Sequence, residues 1–240
     1  MSGRRRIDRL LVERGLFDSR AKAQAAIAAG LVRAGDAVIR KASEEISVDA
    51  TLSAMPAHPY VSRGGVKLAA ALDHFGFDPV GRTCLDVGAS TGGFTQVLLE
   101  RGARRIYAVD VGRGQLHPSL RNRPEIVALE QTDVRAASLD PLADFLCIDV
   151  SFISLKQTLP AATALTKRMA QLVALIKPQF EAGPEHNKKG IVRDRAIHDA
   201  VCAEIEQCAA SLGWHVLGVI PSPIDGGDGN REFLLGAERD

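Results

Sequence analysis

The sequence predicts an α/β chain, a doubly wound sheet preceded by a small basic α+β unit. Three observations lead there. From residue 83 onward, short apolar runs of strand length alternate with helical patterns, the rhythm of crossover connections in a parallel sheet. A glycine-rich turn, Gly88-Ala89-Ser90-Thr91-Gly92-Gly93, follows the first of those runs and opens a helical pattern. Residues 1–41 carry ten Lys/Arg against four Asp/Glu, a balance of +6 in a chain whose formal net charge is only +1. A basic segment on a mildly acidic body points to a polyanionic partner.

Composition sets the outer bounds. The 240 residues are 46% hydrophobic and 25% charged, with a mean hydropathy of +0.01, as in an ordinary globular chain. The longest apolar runs, such as Leu172-Val173-Ala174-Leu175-Ile176, are far short of the ~18–20 residues that span a bilayer. Met-Ser-Gly-Arg-Arg-Arg lacks the apolar core of a secretion signal, so a cytoplasmic protein without a membrane partner is expected. Cys84, Cys147, Cys202 and Cys208 are scattered without a Cys-x-x-Cys or a nearby histidine pair, which argues against structural zinc and against disulfides. No metal site is expected.

Taken in order, the first segment predicts two short helices and a hairpin. Ile7, Leu10, Leu11 and Leu16 mark one helical face with Gly15 near its stop. Asp18 or Ser19 can cap a second helix whose face holds Ala23, Ala26 and Ile27 and which ends at Gly30. Leu31-Val32-Arg33 and Val38-Ile39 flank the turn Ala34-Gly35-Asp36. Residues 48–61, with Pro56 and Pro59, read as a strand end and linker. A helical pattern then runs through Val66, Leu68, Ala69 and Leu72 to Gly76. Strands are expected at 83–87, 105–110, 126–130, 144–149, 171–176, 214–220 and 231–237, with helices near 92–101, 155–168 and 194–212. The division predicted is 1–60 and 61–240.

The run from Arg6 to Ser47 resembles an S4 RNA-binding domain, carried by Ser19-Arg20 at the second helix start, the Gly30-Leu31-Val32 exit and the glycine-containing turn. It departs from the family at Lys41-Ala42-Ser43, where Lys-Pro-Ser is usual. The resemblance implies RNA contacts from Arg5, Arg6, Arg9, Arg20, Lys22, Arg33 and Lys41.

The glycine turn does not fit Gly-x-Gly-x-x-Gly, and an acid two residues before Gly88 would repel a pyrophosphate. Asp86 suits an amino group instead, reached directly or through water. Asp110, 24 residues later at a strand end, can accept both hydroxyls of a ribose. Asp133, after the third strand beside Val134, is placed to accept from an adenine amino group. Any one acid alone would be a helix cap or a turn residue. The set, with Gly88, Ala89, Ser90, Gly92, Gly93 and Phe94, resembles the S-adenosylmethionine site of Rossmann-like class I methyltransferases.

Asp149 and Lys177 close the next two strands, Glu232 begins the last, and Lys67 lies on the helix before the sheet. These four resemble the Lys-Asp-Lys-Glu tetrad of FtsJ-like ribose 2′-O-methyltransferases. With the S4 unit ahead, and the segments Val61-Ser62-Arg63-Gly64-Gly65-Val66-Lys67-Leu68, Asp149-Val150-Ser151-Phe152-Ile153-Ser154, Lys177-Pro178-Gln179-Phe180-Glu181 and Lys189-Gly190-Ile191-Val192-Arg193-Asp194, nearly all of the chain resembles the TlyA (hemolysin A) family. That family often has arginine and tryptophan where His58-Pro59-Tyr60 stands here. The resemblance implies a mixed seven-stranded sheet, S-adenosylmethionine as cofactor, ribosomal RNA or ribosomal subunits as partner, and methylation of a cytidine 2′-hydroxyl. Lys177 is then the candidate base or hydroxyl-orienting group, with Asp149 and Glu232 orienting the lysines. Arg63, Lys188, Lys189 and Arg193 are placed to grip phosphate.

Other readings fit fewer residues. Attack at cytosine C5 needs a nucleophilic cysteine, and Cys147 lies deep in its strand. Amino-methylating enzymes favour Asp/Asn-Pro-Pro-Tyr/Phe, of which Asp149-Val150-Ser151-Phe152 keeps only the ends. A membrane-lysing protein and a non-catalytic RNA-binding or assembly factor remain as alternatives of other classes.

Overall fold

A computed structural model describes residues 3–187, 190–226 and 229–240. The chain divides into two compact units, residues 1–59 and 60–240. In the first, β1 (Arg4–Arg6) leads into α1 (Ile7–Glu13), followed by α2 (Arg20–Ala28), β2 (Val32–Ala34), β3 (Ala37–Val38), β4 (Glu45–Ser47) and β5 (Leu52–Ala54). Ser19 caps α2 by accepting from the Lys22 backbone N–H at 3.3 Å, which settles the cap in its favour over Asp18. Antiparallel pairs β1–β4 and β3–β2–β5 enclose a core of Ile7, Leu10, Leu11, Ala23, Ala26 and Ile27. Leu16 lies beyond α1 and is exposed, with Phe17 buried in its place, and the stretch read as a strand end and linker contains the strand β5, which pairs with β2.

The second unit begins with α3 (Gly64–Phe75), which stops where Gly76 takes a left-handed φ of 68° and its N–H bonds to the Leu72 carbonyl. Then come β6 (Thr83–Val87), α4 (Gly93–Glu100), β7 (Arg105–Val109), α5 (Pro118–Arg121), β8 (Ile126–Leu129), β9 (Ala143–Ile148), α6 (Leu155–Ala164), β10 (Thr166–Ile176), α7 (Pro178–Glu181), α8 (Arg195–Ser211), β11 (His215–Pro221) and β12 (Phe233–Arg239). They form the expected mixed seven-stranded sheet, in the order β11-β12-β10-β9-β6-β7-β8. Five strands run parallel, and β12 is antiparallel to both β10 and β11. One apolar cluster (Leu68, Leu72, Val97, Leu98) covers one face through α3 and α4; another (Leu155, Leu159, Val201, Ile205) covers the other through α6 and α8. This is the three-layer arrangement a sheet buried on both faces requires.

The strand expected at 171–176 starts at Thr166 instead, with its register on β9 shifting between Thr166 and Gln171, and α6 stops at Ala164. Leu165-Thr166-Lys167-Arg168 has helical composition, but the Thr166 pairing with Ala143 claims it for the sheet. No helix among the described residues is long and apolar enough to cross a membrane. The chain order of the strands reverses between β6 and β9, and a crevice opens there beyond their carboxyl ends, where doubly wound sheets bind ligands.

Candidate active site

A cleft of about 380 Å³ lies at that switch point, walled by Val87, Val109 and Val150 and edged by Asp110, Asp133 and Asp149. Its size is that of small-molecule and cofactor sites. Gly88, at φ 83°, sits against the backbone of Asp149 and Val150, so a β-carbon there would collide with main chain that cannot yield. That close approach draws the β6 and β9 strand ends together. A polar recess joins the cleft through Gly88, Ser90, Asp149 and Ser151, and is completed by Ala89, Gly93, Phe94, Ser62 and Lys177. Gly92 caps α4 in the left-handed region and lines neither cavity.

The acids do different work. Asp110 accepts from the Ser90 backbone N–H at 2.8 Å and from that of Gly112 at 2.7 Å, so it binds the glycine turn to the next strand end while lining the cleft. Asp133 lines the cleft beside Val134, but Arg135 grasps it through its backbone N–H (2.9 Å) and its guanidinium (2.5 Å). Those bonds hold the Asp133 carboxyl at about 2. Asp86, expected to meet a ligand amino group directly or through water, is fully buried and lines neither cavity. One of its oxygens accepts from the Thr95 hydroxyl at 2.6 Å; the other has no hydrogen-bond partner among the described residues. Burial pushes its carboxyl up to about 7 against the pull of that hydroxyl.

Sheet register brings Asp149, Lys177 and Glu232 to neighbouring strand ends, while Lys67 comes from α3; neither Lys67 nor Glu232 lines either cavity. The β10–β12 ladder ends with Ile176 opposite Phe233, so Lys177 and Glu232 leave the sheet side by side from adjacent strands. On the other side of β10, Ala174 pairs with Ile148, one residue before Asp149. Lys177 Nζ lies 2.5 Å from Asp149 Oδ1 and donates to Ser151 Oγ at 2.9 Å. Lys67, from the first turns of α3, forms an ion pair with Glu232. Lys67, Lys177 and Glu232 are each less than 10% exposed. Cys147, by contrast, is wholly buried behind Asp149, donates to the Leu85 carbonyl, and has its thiol pushed far up by burial. It cannot serve as a thiolate nucleophile.

Residues 60–239 match the model of the FtsJ-like methyltransferase family and residues 5–52 that of the S4 domain. The chain belongs to the FtsJ-like methyltransferase family. Within it, the chain is 42% identical to the 16S/23S rRNA (cytidine-2′-O)-methyltransferase TlyA of Mycobacterium tuberculosis, over 98% of this chain and 90% of that protein. It is 35% identical to Hemolysin A of Brachyspira hyodysenteriae, over 95% and 98%. A solved structure from Streptococcus thermophilus, provisionally named a hemolysin, covers 100% of this chain and 90% of its own at a TM-score of 0.78 and 41% identity. A magnesium protoporphyrin IX methyltransferase from Synechocystis (TM-score 0.52, 14% identity, 74% and 82% covered) shares the fold alone.

In this FtsJ-like chain several cleft residues went unassigned from sequence. Ser151 anchors Lys177, and Phe152 stands 90% exposed at the mouth with a left-handed φ of 65°, its ring 5.0 Å from that of Phe180. A bulky side chain is held in that conformation only where its surroundings impose it. Both residues lie in the segment Asp149–Ser154, in which the family resemblance assigns a role to the acid alone. Val111 and Gln115 were equally silent, because nothing marks a loop as a wall until the strand order is known.

The S4 unit redistributes the basic residues. Arg9, Arg33 and Lys41 are exposed, although Arg33 also bonds the Asp36 carbonyl. Arg5 pairs with Glu13 and Lys22 with Asp18. Arg6 and Arg20 both donate to the buried Asp8, yet keep 40% and 49% of their side chains accessible. Arg63 is exposed at the start of α3. Lys188 and Lys189 lie outside the described residues.

Proposed function

We propose that this chain transfers the methyl group of S-adenosylmethionine to the 2′-oxygen of a cytidine ribose in ribosomal RNA, acting in the cytoplasm on RNA bound through its S4 unit. The observation that carries the reading is the Lys177–Asp149 pair, which lines the same polar recess as the glycine turn Gly88-Ala89-Ser90. The cleft residues fit the cofactor. Asp110 uses one bond on each carboxylate oxygen, leaving each with accepting capacity for ribose hydroxyls. Val87, Val109 and Val134 give apolar walls to a purine, with Asp133 at its rim. Asp86, one layer behind the glycine turn, supplies a carboxyl whose charge a cationic amino group would favour.

When bound, S-adenosylmethionine supplies a methyl group already activated by the sulfonium charge. The chain's residues then have to align and deprotonate a weak nucleophile. Alignment of a ribose hydroxyl with a bound electrophile is worth roughly 7–11 kcal/mol. Lys177, fixed by Asp149 and Ser151, orients the hydroxyl through its Nζ and, once its own extra proton has passed to water, takes the hydroxyl proton as the neutral amine while the new carbon–oxygen bond forms and the methyl–sulfur bond breaks, worth about 10²–10⁴-fold. Lys67 and Glu232, paired beside it, hold the local charge arrangement. The exposed ring of Phe152 offers a face for a base to stack on.

The test is to incubate the protein with radiolabelled S-adenosylmethionine and separated ribosomal subunits, intact ribosomes or naked ribosomal RNA. Label is expected in RNA, and not with Lys177→Ala. Cofactor binding without label in any of these would overturn the catalytic reading in favour of an RNA-binding or assembly factor.

A further inference from the structure

The loop between β7 and α5 forms one wall of the cleft through Asp110, Val111 and Gln115. It contains no regular structure, yet its backbone is held at nearly every step. The Gly114 N–H donates to one oxygen of Glu130 at 2.5 Å, and those of Gln115 and Leu116 to the other at 2.7 and 3.1 Å. Arg121 donates to the Gly114 and Leu116 carbonyls, both at 2.6 Å. The Gln131 N–H reaches the Gly112 carbonyl at 2.8 Å, and the His117 N–H reaches Thr91 in the glycine turn at 3.1 Å. Gln131 adopts a left-handed φ of 53° to do so. The three backbone bonds keep the Glu130 carboxyl below its usual range, so it stays an acceptor-only carboxylate.

Three successive N–H groups converging on one carboxylate form a nest. Here the anion is the chain's own side chain, and no ligand is needed to close it. A wall left loose would have to be ordered as the ligand binds, and affinity would fall by the backbone entropy lost in ordering it.

We propose that Glu130, assisted by Arg121, is a positioning residue that pre-sets the 111–116 wall, fixing affinity for the S-adenosyl group without taking part in methyl transfer. This rests on the assignment of the cleft to S-adenosylmethionine. Titration calorimetry without RNA, using S-adenosylmethionine and S-adenosylhomocysteine, measures the effect directly. Glu130→Ala is expected to weaken both about tenfold or more, and Glu130→Gln to weaken them less, because its amide oxygen still accepts. At saturating cofactor, kcat is expected to stay within about twofold of wild type and the KM for RNA to be unchanged. A folded Glu130→Ala with wild-type cofactor affinity would overturn the proposal, as would parallel losses in kcat and RNA affinity. Should Glu130→Ala fail to fold, Arg121→Ala carries the same expectations. A wild-type protein that binds neither ligand would instead overturn the cofactor assignment beneath it.

Discussion

Asp8 and Asp86 are both completely buried carboxylates, one in each compact unit, and their surroundings are opposite. Asp8 accepts from Arg6 Nε (3.1 Å) and Nη2 (3.0 Å), Arg20 Nη2 (2.7 Å) and Gln24 Nε2 (3.0 Å), and these bonds hold its carboxyl well below the ordinary range. Asp86 accepts from one hydroxyl, and burial drives its carboxyl the other way. A buried charge answered from within the chain is a structural tie that joins β1, α1 and α2. One answered only in part lies beneath a ligand cleft, where a bound cation can supply the rest. The Lys177–Asp149 and Lys67–Glu232 pairs stand between these extremes: each charge has an opposite partner, and Lys177 also opens on the recess.

The contrast breaks most visibly at Lys177. Lys177→Ala is expected to lower methyl transfer about 10²–10⁴-fold while leaving cofactor affinity within about twofold, measured by single-turnover label transfer and calorimetry. Asp8→Ala should act on stability instead. Losing the carboxylate shared by Arg6, Arg20 and Gln24 is expected to cost about 1–2 kcal/mol in the first unit, because both guanidiniums keep access to water, seen by calorimetric unfolding with cofactor affinity unchanged.

Asp86 makes stability depend on pH. Its folded value of about 7 lies above the ~3.9 of an unfolded aspartate, so its contribution to stability is complete below about pH 4 and is lost as pH rises to about 7. The ligand-free protein is therefore expected to melt progressively lower across that window, and Asp86→Asn to flatten the decline. For Asp8 the sign reverses, and its contribution is lost only as pH falls below the carboxylate range. The smallest effects belong to the exposed cations. Alanine at Arg9, Arg33 or Lys41 is expected to raise the KM for RNA, to reduce the salt slope of RNA binding by about 1 each, and to leave kcat intact.

Much of this was legible from the residues. Strand alternation, the glycine turn and acids at successive strand ends fixed the sheet and its ligand edge, because each rests on a local pattern that the fold repeats. Ser19 as a cap and Gly76 as a helix stop were visible for the same reason. What stayed hidden depends on partners distant in sequence. Arg6 and Arg20 look like free phosphate ligands until Asp8 is seen between them, and Arg135 takes hold of Asp133 from two residues away by a side-chain turn that no periodicity reveals. Thr166–Ala170 has helical composition and was claimed by a strand neighbour 23 residues earlier. Glu130 carries no motif at all; only the folded loop shows three N–H groups aimed at it.

The central claim is that the strand-end lysine and its carboxylate act on a ribose oxygen, and the position of the transferred methyl group tests it most directly. Ribosomal RNA labelled by the wild-type protein should be digested to nucleosides and fragmented by mass spectrometry. A single kind of product is expected, cytidine carrying the methyl on its ribose, with the adjoining phosphodiester resistant to alkali because the 2′-oxygen is blocked. Label on a base, or an alkali-sensitive linkage at the labelled nucleotide, would contradict it.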